Sequence, residues 1–156
     1  MAIALKIHKL NQENLDEVCE FLSAEYWKIR AQDLRDDWHW PTLVGIVDNE
    51  IVAFLSGTFN EPFSEEWCTA DQRGDQAWIF DLLIGKDFRR MGYGAEMVRS
   101  FCYEAKSHSC THVALDVDRR EPTAIREAFF AGMGFRWVEF KSRYIVVAKI
   151  SEVIPD

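Results

Sequence analysis

The chain has 156 residues, enough for one domain with a core that needs no metal or disulfide staple. Hydrophobic residues at 48% and charged ones at 28% mark it as globular rather than disordered. A formal net charge of −8 argues against wholesale nucleic-acid binding, which rests on Lys and Arg neutralising phosphates, and no apolar run is long enough to cross a bilayer.

The opening "MAIALKIHKL" lacks the apolar core and cleavage site of a secretory leader. Cys19, Cys68, Cys102 and Cys110 show no CxxC spacing. The expectation is a cytoplasmic protein with free thiols.

Ile3, Leu5 and Ile7 alternate as in a half-buried first strand, and Asn11 is the expected cap of a helix whose buried stripe is Leu15, Val18, Cys19 and Leu22. A weaker helix is expected over 31–40, stopped by Pro41. "TLVGIVDNEIVAFLSGTF" predicts two strands turning at Asp48, Asn49 and Glu50. Residues 60–76 form a long polar loop in which acids alternate with Phe63 and Trp67.

"QAWIFDLLI" predicts another strand, "FRRMGYGAEM" a glycine-rich turn, and Ala95, Val98, Phe101, Cys102 and Ala105 the stripe of a following helix. "HVALDV" is a further strand, "PTAIREAFFAGM" a helix with Pro122 in its first turn and Gly132 or Gly134 at its end, and "FRWVEF" and "RYIVVAKI" a last pair of strands. Strands alternate with helices but hairpins also occur, so the sheet is expected to be mixed, with six or seven strands in a single α/β domain.

The turn poses the functional question. A helix N-terminus exposes backbone N–H groups without partners and carries about half a positive charge, and glycines let a large anion approach those donors. Gly92 and Gly94 make that room, and Arg89 and Arg90 add charge, so the turn is built to hold phosphate oxygens. The alternative is an ordinary helix start with two solvated arginines. A P-loop would need GxxxxGK[ST], and the dinucleotide fingerprint would need glycine where Met97 stands.

The spacing Arg89-x-x-Gly92-x-Gly94 between "DLLIGKDF" and an amphipathic helix resembles the coenzyme A motif of the GNAT superfamily of acetyl-CoA-dependent N-acetyltransferases. "TAIREAFFAGMGF" is similar to that family's later NxxAxxLYxxxGF pattern, and the order of elements fits from the first strand to the last. The resemblance implies a GNAT fold over residues 1–156, with a central mixed sheet of six or seven strands flanked by about four helices. It implies acetyl-CoA as co-substrate and no metal. The backbone at Leu82, Leu83 and Ile84 would pair with the pantetheine arm, and the amides from Arg89 through Arg90, Met91, Gly92, Tyr93 and Gly94 to Ala95 would hold the diphosphate.

Against that pattern, the family's frequent asparagine falls on Thr123 and its frequent tyrosine on Phe130, both counted as cofactor contacts by position. The tyrosine would protonate the departing thiolate, which Phe130 cannot do; a thiolate of pKa about 8.5 leaves without much help. Packing beside the pantetheine is the expected role of Phe130. Tyr93, Tyr103 and Tyr144 are the phenols offered in its place, with Tyr144 on a late strand the first to inspect.

An alkyl ammonium must lose a proton before it attacks a thioester, and a positioned base contributes about 10² to 10⁴ in rate. Asp81, inside the apolar strand where related enzymes often carry an acid, is the first candidate; the competing reading is a carboxylate bridging groups at a strand irregularity. Asp116 is the second. Asp37, Trp38 and Trp40 lie where the family's first helices wall the acceptor site, and Glu66 and Trp67 in the acidic loop suit a cationic amine, or are simply solvated. His39 is expected to be structural or exposed. "HSCTH" brings His108, Cys110 and His112 close in sequence without a second ligand cluster, so no metal is expected.

The expected reaction is direct transfer from acetyl-CoA to a small cationic amine: a polyamine, an aminoglycoside-like compound or an amino-acid derivative. A protein Nα-amine or lysine acceptor is the alternative, and a coenzyme A-binding sensor with little turnover the alternative of another class. A homodimer through the late strands, common in that family, is the expected assembly, with neither nucleic acid nor membrane as partner.

Overall fold

The computed structural model describes residues 3–73, 75–117 and 123–155. In chain order the elements are β1 (Lys6–Lys9), α1 (Leu15–Ala24), α2 (Lys28–Asp37), β2 (Thr42–Val47), β3 (Glu50–Phe59), β4 (Gln76–Ile84), α3 (Tyr93–Ser107), β5 (His112–Val117), α4 (Thr123–Gly132), β6 (Arg136–Phe140), β7 (Arg143–Lys149) and α5 (Ile150–Val153). The strands form one sheet in the order β1-β2-β3-β4-β5-β7-β6. β4 and β5 are parallel, while β1/β2, β2/β3, β5/β7 and β6/β7 are antiparallel, which makes the sheet mixed as expected. Four residues are too few to show helical periodicity, so α5 is the helix that the pattern missed.

The chain divides into two compact units, one of residues up to Gly57 with Asp81–Ser100, the other of Thr58–Phe80 with Phe101 onward. In the first, Val18, Cys19 and Leu22 of α1 and Ala31 and Leu34 of α2 bury against Val44, Ile51, Phe54 and Leu83 of the strands. In the second, Ala114, Ile145 and Val147 are covered by Phe63 and Cys68, with Trp67, Trp78 and Val138 packed around them. Among the described residues no helix is long and apolar enough to cross a membrane.

Local chemistry moves several boundaries. Asn11 does not cap α1: Asn11 and Asn14 clasp each other, each backbone N–H donating to the other's Oδ1 at 2.8 and 2.9 Å, and Asn14 becomes the N-cap. β1 starts later than the alternation predicts, since pairing with β2 begins at Lys6 and Ile3 is 51% exposed. α2 runs three residues earlier than expected and ends before Trp38, whose backbone is extended and whose indole N–H donates to Thr42 Oγ1 at 2.7 Å.

The hairpin turns where expected, with Asp48 and Asn49 both at positive φ, which matches the twist of the flanking strands. In β2 the register shifts between Gly45 and Ile46, and a Cβ at Gly45 would lie 2.8 Å from that of Ala53. Gly134 at φ +97° closes α4, with Phe135 N–H donating to Phe130 O at 3.0 Å, while Gly132 stays helical. Pro122 lies outside the described residues.

Two buried amides hold the described part of the polar loop. Gln76 Oε1 accepts from Phe63 N–H at 3.1 Å and its Nε2 donates to Gln72 O, while Gln72 Oε1 accepts from Thr69 N–H at 3.0 Å. A short 3-10 turn, Ala70–Gln72, results.

Candidate active site

β4 ends in a turn whose backbone is held from outside. Gly85 N–H donates to Val52 O at 2.8 Å, Lys86 N–H to Glu25 Oε1 at 2.7 Å, and Phe88 N–H to Gly85 O at 2.9 Å. The chain then takes positive φ at Arg90 (66°) and Gly92 (83°) before α3 begins at Tyr93. Successive N–H groups in such an alternation form a concave nest for an anion. Of the amides from Arg89 to Glu96, among the described residues, the one with a backbone acceptor is that of Glu96, bonded to Gly92 O at 3.2 Å.

Nothing lies within 4 Å of where a Cβ at Gly92 would stand, so this side of the nest is open. Gly92, Met91, Arg89 and Arg90 are exposed, and Gly94 and Ala95 half-buried. Arg89 folds back, its Nε donating to Ile84 O at 3.2 Å. Tyr93 is buried, and its hydroxyl donates to Ile3 O at 2.7 Å, so that phenol is engaged in structure. These donors fit the diphosphate of a nucleotide-derived cofactor. The registered pairing of β4 with β5 covers Gln76–Ile79, and β4 continues beyond it to Ile84 through half-buried Leu82, buried Leu83 and half-buried Ile84.

Asp81 belongs to the same unit and is 9% exposed. Along β4 it shares a face with Leu83, a core residue. Its Oδ2 accepts from the Ser56 hydroxyl at 2.6 Å and its Oδ1 from Arg30 Nη2 at 3.0 Å. Arg30 Nε lies 3.0 Å from Oδ2, near enough for charge attraction but out of line for a hydrogen bond. The guanidinium also donates from Nη1 to Asp33 at 2.8 Å and lies 5.7 Å from the ring centre of Trp38. Trp38 bonds Thr42, whose hydroxyl donates to Trp40 O at 2.9 Å; half-buried Trp40 meets exposed His39 with tilted rings 4.6 Å apart, and Asp37 is exposed. Three of the sequence candidates, Asp81, Trp38 and Trp40, are thus joined in one network through Arg30 and Thr42, with Ser56 bonded to Asp81 at its end. Nothing in the sequence singled out Arg30 or Ser56, since a polar residue on a helix or strand carries no mark of a partner dozens of positions away.

The remaining candidates lie in the second unit. Asp116, exposed on β5, accepts from Arg143 Nε at 2.7 Å. Tyr144 on β7 pairs with Val117 and packs edge-on against Trp137 with ring centres 5.6 Å apart. Phe130 is buried, edge-on to both Phe129 and Phe135, so it is packed as a core aromatic. Thr123 opens α4, and its side chain lies outside the described residues. Glu66 pairs with Lys141 at 3.1 Å, and Trp67 packs with Phe63 and Trp78 over the unit's core.

Burial pushes the thiols of Cys19, Cys110 and Cys102 up, that of Cys102 to about 12. At neutral pH these three are thiols, not nucleophilic thiolates. Among the described residues no cluster of three His, Cys, Asp or Glu side chains is placed to hold a metal ion.

Residues 7–135 match the family model described as "Acetyltransferase (GNAT) family". No curated protein matches the chain by sequence. Among solved structures, the PaiA N-acetyltransferase of Thermoplasma acidophilum in complex with coenzyme A is similar at TM-score 0.66 and 15% identity, over 94% of this chain and 99% of that one. NAA60 of Arabidopsis thaliana, in complex with a bisubstrate analogue, is similar at TM-score 0.69 and 15% identity over the same shares. An aminoglycoside N-acetyltransferase in complex with CoA aligns at TM-score 0.69 and 11% identity, over 90% of this chain and 93% of that one. At these identities the likeness is one of fold.

Proposed function

Given that the chain belongs to the acetyltransferase (GNAT) family, we propose that it passes the acetyl group of acetyl-CoA directly to a primary amine, the acceptor being a small cationic amine such as a polyamine, an aminoglycoside-like compound or an amino-acid derivative. The observation that carries the reading is the nest before α3, with positive φ at Arg90 and Gly92, open space at Gly92 and unpartnered amides. Its donors and the N-terminus of α3 hold the diphosphate, and Leu82, Leu83 and Ile84 offer backbone to the pantetheine arm. The bound co-substrate supplies the thioester.

Asp81 acts in this scheme as a positioning residue. Its two oxygens already receive the Ser56 hydroxyl and the Arg30 guanidinium, and at 9% exposure little of it is open to an incoming ammonium group. Its work is to hold Arg30, and through it Trp38, at the face of α2. The ammonium proton leaves through water, and the thiolate leaves unassisted.

A second reading, a protein Nα-amine or lysine as acceptor, is favoured by Tyr26 and Ile29, which stand 90% and 82% exposed just before Arg30 and would suit an extended peptide. Incubation with acetyl-CoA and a panel of amines and peptides, with free thiol as readout, separates the cases. Turnover is expected with small cationic amines. Turnover with peptides alone moves the assignment to the second reading, and coenzyme binding without thiol release across the panel replaces the enzyme with a sensor.

A further inference from the structure

A cavity of about 170 Å³ lies wholly within the second unit. Its lining comes from five places: Asp71 in the 3-10 turn, His112 at the start of β5, Gly134 after α4 with Arg136 on β6, Lys149 at the end of β7, and Glu152 on α5. Asp116 lies four residues further along β5, about 13 Å away in an extended strand.

The wall carries charges of both signs, and Arg136 and Lys149 both act on Asp71 through space. Among the described residues no ion pair or side-chain hydrogen bond engages Arg136, Lys149 or Glu152, although all three line the same small space. Asp71 accepts from the Thr69 hydroxyl, an interaction that holds its carboxyl below the usual range and keeps it ionised. His112 is 5% exposed; its Nδ1 meets Thr111 Oγ1 at 3.0 Å, while Nε2 is buried without a partner. A buried donor or acceptor left unmade costs about 1–3 kcal/mol, and such a group in a native fold calls for a reason.

We propose that this cavity binds a small zwitterion of the size of a simple amino acid, its carboxylate drawn to Arg136 and Lys149 and its ammonium to Glu152 and Asp71. A lone anion would meet two carboxylates and a lone cation two basic groups, whereas a molecule with both charges answers both.

The test uses the full chain free of acetyl-CoA, so that acetyl transfer plays no part in the result. Glycine, acetate and methylammonium are titrated separately by calorimetry. Glycine is expected to bind with about millimolar affinity, and each single-charge half at least about tenfold more weakly. The double variant Arg136→Gln/Lys149→Gln and the variant Glu152→Gln change exposed side chains; each is expected to weaken glycine at least about tenfold while melting like the parent. Acetate or methylammonium binding as tightly as glycine, no glycine binding at all, or unchanged binding in folded variants would each overturn the proposal.

Discussion

At Gly92 the backbone stands at φ +83° with open space beside it. A Cβ there meets no atom of the protein, so Gly92→Val loses stability mainly through backbone strain, about 1–3 kcal/mol, while its branched side chain projects toward the space proposed for the diphosphate. Acetyl-CoA affinity should fall at least about tenfold, measured by calorimetry on a variant whose circular dichroism matches the parent. Unchanged affinity in that variant would place the coenzyme elsewhere. Asp81 offers a different kind of test. Asp81→Asn keeps the shape but weakens the hold on Arg30, and it should cost about 1–3 kcal/mol of stability. Acting by position, it should lower kcat by a similar factor from pH 6 to 9; a deficit that disappears as pH rises would instead mark Asp81 as the base. The glycines and Asp81 were legible in the sequence because a motif is local and a lone acid stands out in an apolar strand. Arg30 and Ser56 were not, because their meaning comes from a partner 51 and 25 positions away.

Among the elements, the loop between β3 and β4 shows what pattern reading leaves out. Its length and acidity suggested a surface feeling for a cationic substrate, yet Trp67 packs over a core and Glu66 pairs with Lys141. Gln76, 1% exposed, organises the segment from the first position of β4 by bonding Phe63 and Gln72. Gln76→Ala would leave Phe63 N–H without its acceptor and should cost about 2 kcal/mol, seen as a lower Tm together with faster amide exchange in residues 61–73. Equal exchange in the two proteins would show that the aromatic cluster orders the loop unaided. Elements with full periodicity, such as α1 and α3, were readable in advance; the cap at Asn14 and the short α5 were decided by hydrogen bonds between particular neighbours.

For the whole molecule, the buried imidazole of His112 sets a pH dependence. Burial is the largest cause holding its pKa below the usual value, opposed by Asp71 and Glu152 and aided by Lys149 and Arg136. The unfolded chain therefore takes up a proton at a pH where the fold does not. The stabilisation is complete above about pH 6.5, the ordinary histidine value, and declines as pH falls through the folded pKa. Between pH 7 and 5 the Tm of the parent should drop more than that of His112→Gln; parallel curves would show that other groups govern the acid limb.

From the amino acids alone came the order of strands and helices, the mixed sheet and the glycine-rich turn before α3, because each follows from spacing within a few residues. Which side chains meet could come only from tertiary structure. Asp81 with Arg30 and Ser56, and His112 among charges from five segments, owe their chemistry to burial and to partners brought close by the folded chain. Desolvation and distance set how a charge behaves, and neither is a property of linear order.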